Sequence, residues 1–266
     1  MLAQQRMNYI LEAVRRSGAV RVADLAPELR VSGMTVRRDL DALAQRGLID
    51  KVHGGATARQ DLSLDEPGFE AKSSRQRAEK EAIARSAALL VEPGSAVGLS
   101  AGTTTWTMAR HLDDVPDLTV VTNSVKVADV LQRRPRPDRT VVLTGGIRTP
   151  SDALVGPIAV GTLRSLHLDM VVLGVHGMHE TAGFTTPNLL EAETNMAFVA
   201  SAPSLVVVAD HTKWSVVGLS AIAGLDEADT LVTDDHIPAE GLGLLRDRVG
   251  EVVVAAVADA ESHPVS

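Results

Sequence analysis

The chain has 266 residues and no cysteine; 45% of its residues are hydrophobic but only 2% aromatic. That length allows one large or two smaller domains. The missing thiols exclude disulfides and thiolate metal centres, and a core so poor in rings must be built from Ala, Val, Leu and Ile, which suits helices packed on a parallel sheet. The net charge of −8 argues against a nucleic-acid partner, but residues 1–60 hold ten Lys and Arg against six Asp and Glu, and the remainder sixteen against twenty-eight. A basic head followed by an acidic body lets one end approach phosphate while the bulk is repelled from it. The amino terminus lacks the apolar stretch of a signal peptide, and no apolar run is long enough for a membrane, so a cytoplasmic protein with no membrane partner is expected.

In chain order, Met7, Ile10, Leu11 and Val14 recur at helical spacing and predict a first helix from about Gln4 to Arg16, closed by Ser17-Gly18. Val22, Leu25, Ala26 and Leu29 predict a second. Pro27 removes one of its hydrogen bonds, at small cost if the helix starts near Asp24. After a turn at residues 30–33, Val36, Leu40 and Leu43 stripe a third helix, with Ser32 as N-cap and Thr35, Arg37, Arg38 and Asp41 on other faces. Two helices about a short turn make the helix-turn-helix plan, with the latter as recognition helix. A plain helical hairpin with a solvated charged face has the same spacing. Residues 47–56 decide between the two, because they carry too much glycine for a helix and alternate apolar with polar residues, as a wing does. On this reading Arg21, Arg37, Arg38 and Lys51 meet phosphates or guanine edges of double-stranded operator DNA, and Ser32 and Thr35 lie near bases or backbone. His53 either enters a neighbouring groove with the wing or caps its hairpin. Because one short helix reads few base pairs, a homodimer or higher homo-oligomer is expected.

The DNA-binding domain is therefore assigned to residues 1–57 and a linker to 58–76, where periodicity lapses around Pro67 and Gly68. Residues 77–266 form the effector domain. It opens on a helix from about Arg77, followed by strand-like runs at 96–99, 118–122, 140–144, 170–175, 205–209, 230–233 and 251–257. Several are continuous Val and Leu runs without alternation, as expected of strands buried on both faces of a mainly parallel α/β sheet. Ligands of such sheets gather at the carboxyl ends of the strands. The residues there are small and polar: Ser100, Gly102, Thr103 and Thr104 at a helix start, Thr122 and Asn123, Gly145 and Gly146, Gly177, then Asp210 and Lys213. A glycine turn with free amides favours an anion, Lys213 adds a positive point charge, and Asn123 and Asp210 could take hydroxyls. Taken singly each is more often a cap or a turn; their recurrence after successive strands is the signal.

Three blocks of the head, from Val31-Ser32 to Thr35-Val36-Arg37-Arg38-Asp39-Leu40, then Gly47-Leu48-Ile49, then His53-Gly54-Gly55-Ala56, resemble the DNA-binding end of DeoR-type bacterial transcriptional regulators. The polar strand ends, with Leu154-Val155-Gly156, Gly183 and Thr185-Thr186, resemble that family's effector domain. The resemblance implies a fold similar to ribose-5-phosphate isomerase and a regulator, more often repressor than activator, of carbohydrate genes, released from its operator by a phosphorylated sugar or polyol. It implies no catalysis and no cofactor. Ser100 stands where the family commonly has an aspartate, which counts against residual isomerase chemistry. The rival reading is a sugar-phosphate isomerase-like enzyme with a DNA-binding head, using Asp210 or Glu191 as base; a third is a scaffold whose cleft has lost its ligand. No metal site is expected: His176, His179 and Glu180 have no helical frame and no third ligand. Gly174-x-x-Gly177 is too short for a dinucleotide fingerprint, and no glycine loop is followed by a phosphate-loop lysine.

Overall fold

The computed structural model describes residues 6, 7, 9, 10, 13, 14, 19–45, 49–52, 54–57 and 68–258. It divides into two compact units, Met1–Asp61 and Leu62–Ser266. In the first, Arg6, Met7, Tyr9, Ile10, Ala13 and Val14 are helical; the expected ends of that helix lie outside the described residues. Strand β1 (Ala19–Arg21) leads into α1 (Val22–Glu28), a turn, α2 (Gly33–Gln45), and wing strands β2 (Asp50–Val52) and β3 (Gly55–Thr57). The strands pair antiparallel in the order β1-β3-β2. The predicted stripes Val22, Leu25, Leu29 and Val36, Leu40, Leu43 close on Ile10, Val14, Ile49 and Ala56 in a single core. A Cβ on Gly55 would fall 2.0 Å from the Val20 carbonyl oxygen, so only glycine lets β3 lie against β1. Because α1 begins at Val22, two residues before the expected start, Pro27 falls in its last turn. Arg30 then ends it in the left-handed region at φ 54°.

The segment expected to be linker is divided. Residues 58–67 lie outside the described residues, but α3 (Phe69–Ser73) is a helix whose Phe69 is buried edge-on against Trp106, ring centroids 5.6 Å apart. One aromatic anchor carries that helix, and five residues are too few to show a period.

All seven expected strand runs stand in one sheet. These are β4 (Ala96–Leu99), β5 (Thr119–Thr122), β6 (Thr140–Leu143), β9 (Met170–Gly174), β12 (Leu205–Val208), β14 (Thr230–Asp234) and β15 (Glu251–Ala255), in the order β15-β14-β12-β9-β4-β5-β6. Every pairing is parallel. Val171, Leu173, Val207 and Leu231 enter one core, while Val172, Val206, Val208 and Val232 enter the core on the other face. Covering both faces is what removes the alternation from the sequence. The helices α4 (Arg77–Ala88), α5 (Thr103–Ala109), α6 (Val125–Gln132), α7 (Pro157–Arg164), α8 (Leu189–Val199) and α9 (Ala239–Arg248) complete the layers. Two small antiparallel sheets, β7 (Ile147–Arg148) with β8 (Leu154–Val155), and β10 (Gly177–His179), β11 (Gly183–Thr186) and β13 (Ser220–Ala223), were not anticipated.

The chain starts the large sheet at β4, adds β5 and β6 on one side, then returns to lay β9 on the other. Strand order thus reverses between β4 and β9. Loops leaving two such strands part in opposite directions and open a crevice at the carboxyl edge, where ligands of this architecture bind.

Candidate nucleic-acid interface and effector crevice

In the head, Ser32 caps α2 as expected: its hydroxyl accepts from the Thr35 amide at 3.2 Å and lies 2.9 Å from the Thr35 hydroxyl. With Val36 and Leu40 buried, Arg37 and Arg38 are exposed, and neither has an ion-pair partner among the described residues. Arg21 is also exposed, at the end of β1. Lys51 differs, because its ammonium pairs with Asp41 of α2 and so holds the wing to the helix. His53 lies outside the described residues. Sequence reasoning missed Asp39, which is buried and takes both guanidinium arms of Arg6 at 2.8 and 3.2 Å. That fork locks the first helix to α2 beside the two exposed arginines. An acidic residue inside a basic motif was the available signal.

In the body, Ser100 follows β4 at 0% exposure, and its hydroxyl accepts from the Gly174 amide at the end of β9 at 3.0 Å. The Ser100 hydroxyl therefore ties together the two lips of the crevice. Asn123 is equally committed: its carbonyl accepts from the Ala101 amide at 2.7 Å and its amide donates to the Leu154 carbonyl at 3.0 Å. Thr122 donates to the Leu99 carbonyl at 2.7 Å and accepts from the Ser124 amide at 3.0 Å. The expected hydroxyl readers at these positions are thus engaged with main chain, because buried loop amides and carbonyls need partners.

Gly102 precedes α5 and lies against the other lip, where a Cβ would come 3.9 Å from the Gly174 Cα. Thr105 and Thr107 return their hydroxyls to main-chain carbonyls. Those of Thr103 and Thr104 have no hydrogen-bond partner among the described residues. Gly145 and Gly146 turn the chain out of β6 at φ 74° and 124°, and a Cβ on Gly146 would meet the Val155 carbonyl oxygen at 2.6 Å. Gly177 sits inside β10, where a Cβ would meet the Val216 carbonyl oxygen at 2.1 Å. Packing accounts for Gly146 and Gly177.

Asp210, almost fully buried at the end of β12, caps the short helical turn His211–Lys213, accepting from the Thr212 amide at 3.1 Å and from its hydroxyl. The residue the sequence did not reveal is Lys80. It is buried in the first turns of α4, and its ammonium donates to the Lys72 and Arg75 carbonyls at 2.7 and 2.6 Å, closing the end of α3. Burial lowers its pKa to about 8; the Asp210 and Glu79 carboxylates pull the other way, while Lys213 and Arg75 push it further down. Two ammonium groups and a guanidinium thus act on one another here together with two carboxylates, Asp210 and Glu79. The signal lay in the sequence, since Lys80 falls on the same stripe as Ile83, Ala84 and Ala87, where a lysine is out of place.

Residues 6–63 match the model of the DeoR-like helix-turn-helix domain, and residues 75–235 match that of the DeoR C terminal sensor domain. The chain belongs to the DeoR family of transcriptional regulators. It is 35% identical over 235 residues to an HTH-type transcriptional regulator, FruR, of Bacillus subtilis (strain 168), covering 88% of this chain and 92% of that one. To the glycerol-3-phosphate regulon repressor of Escherichia coli (strain K12) it is 30% identical over 248 residues, 93% and 97% of the two chains. Among solved structures, ribose 5-phosphate isomerase A from Methanocaldococcus jannaschii is similar at 17% identity and a TM-score of 0.38, over 53% of this chain and 55% of that one. So distant a likeness carries no argument about chemistry. In this regulator a helix-turn-helix head is followed by a sensor body. Among the described residues no helix is long and apolar enough to cross a membrane.

Proposed function

We propose that this regulator is a repressor whose sensor crevice binds a phosphorylated sugar or polyol without turning it over, and that binding releases operator DNA. The observation that carries the reading is the gathering of three cations, Lys80, Lys213 and Arg75, with only two carboxylates, Asp210 and Glu79, where the turn capped by Asp210 and the start of α4 meet. A dianion entering there relieves the repulsion among the cations. The hydroxyls of Thr103 and Thr104, unpartnered among the described residues, with Gly102 before them, supply neutral donors; Asp210 and Asn123 act mainly by positioning the loops. Ser100 and Asp210 are engaged in main-chain hydrogen bonds, which suits holding the loops rather than acid–base chemistry. That a relative is named the glycerol-3-phosphate regulon repressor supports this ligand class. In the head, Arg21, Arg37 and Arg38 contact DNA, with Ser32 and Thr35 near the backbone, and a homodimer pairs two half-sites.

Release requires the ligand to prefer the DNA-free state, and coupling of ~1 to 3 kcal/mol weakens operator affinity roughly 5- to 150-fold. Phosphorylated sugars and polyols titrated into a preformed operator complex, followed by fluorescence anisotropy, test this. Lys213→Ala and Thr103→Val should bind operator as wild type does yet resist release. Equal release from mutant and wild type would place the effector elsewhere.

A further inference from the structure

The sensor body gathers a second constellation that the regulatory reading does not use. We propose that Glu79, His211 and His236 bind a divalent transition metal of the zinc class, with Asp234 orienting His211. The residues come from separate elements: the first turn of α4, the turn after β12, and the turn after β14. One donor atom from each of the three lies within 4.8 Å of the other two. His236 Nδ1 is 3.5 Å from Glu79 Oε1. In a tetrahedral zinc site, with bonds of about 2.0–2.1 Å, neighbouring donors stand about 3.3 Å apart; the Glu79–His236 pair is already near that spacing, and His211 has to close in from within 4.8 Å. The imidazole rings meet edge to face with centroids 5.3 Å apart, an arrangement that leaves their nitrogens unstacked.

Asp234 supplies the outer support that such sites require. It is fully buried, and its Oδ1 lies 2.8 Å from His211 Nδ1 while its two oxygens accept the main-chain amides of His211 and His236 at 2.7 and 3.1 Å. A neutral His211 that donates from Nδ1 to this carboxylate presents its lone pair at Nε2, the carboxylate–histidine–metal arrangement. Two imidazoles and one carboxylate suit zinc rather than magnesium or calcium, which take oxygen donors. The side chain of His236 is 53% exposed, which leaves the fourth position open to water. A metal here would tie the start of α4 to the ends of β12 and β14.

The test uses the full chain, stripped with chelator and titrated with zinc chloride by calorimetry, with cobalt absorption as a second readout. A single equivalent should bind, and cobalt should give the intense visible bands of a tetrahedral site. His236→Ala, a surface change, should weaken zinc at least about tenfold, and Asp234→Asn about 10- to 100-fold. His179→Ala, outside the cluster, should titrate as wild type. Absence of stoichiometric binding, or a His236→Ala protein that binds zinc as wild type does, would overturn the proposal.

Discussion

The head and the body use their polar side chains in opposite ways. Arg37 and Arg38 point away from the core and are exposed without an ion partner among the described residues. Ser100, Thr122 and Asn123 sit at strand ends as polar as any binding site, yet bond to amides and carbonyls of neighbouring loops. The difference comes from burial. A helix satisfies its own main chain, so side chains on its outer face are left for a partner. Strand-end loops inside a covered sheet leave main-chain groups that only nearby side chains can satisfy.

The sharpest way to break this contrast is to remove what each region uses. Changing Arg37 and Arg38 together to Ala should abolish operator binding at concentrations that saturate wild type, since base contacts are worth about 1 to 3 kcal/mol each. Both are exposed, so the unfolding free energy should stay within about 0.5 kcal/mol of wild type. A double mutant that shifts operator DNA normally would put recognition on another surface.

Asn123→Ala should do the reverse. It leaves the part-buried Ala101 amide and the buried Leu154 carbonyl without these partners, and a buried orphaned group costs about 1 to 3 kcal/mol. The body should unfold at lower denaturant while the head retains its midpoint, read by hydrogen exchange of the two units. Unchanged stability with loss of ligand binding would return Asn123 to the role of hydroxyl reader.

The same contrast explains what was legible in the sequence. The stripe of Val36, Leu40 and Leu43 set the face of the recognition helix, and the unalternating Val and Leu runs located all seven strands of the sheet. Those patterns report burial, which is local in origin. The partners of a polar residue are not local: Ser100 bonds 74 residues away and Asn123 31 residues away, distances at which one sequence carries no signal. Lys80 was missed because its role rests on two carbonyls at the end of α3, a helix too short to be periodic. The small sheets were missed because β7 and β8 have only two residues each.

The finest comparison sets two forked Arg–Asp pairs against each other. In the head Arg6 and Asp39 are 33 residues apart and their side chains are 11% and 8% exposed; in the body Arg136 and Asp138 are neighbours in sequence, at 31% and 26%. The former joins two helices, whereas the latter orders one surface turn, so Asp39→Asn should destabilise more than Asp138→Asn. The Arg136 guanidinium holds the Asp138 carboxyl well below the usual carboxylate range, outweighing the opposing effect of desolvation, and the Asp117 amide adds a further bond. A carboxyl depressed in the folded state stabilises above its unfolded pKa of about 3.9, and that stability is lost as pH falls through the folded value. Wild type should therefore exceed Asp138→Asn in stability at neutral pH by a small margin that shrinks steadily below about pH 4. Denaturant melts of both proteins across that range check it, and a margin that does not change with pH would mean the carboxylate acts through shape rather than charge.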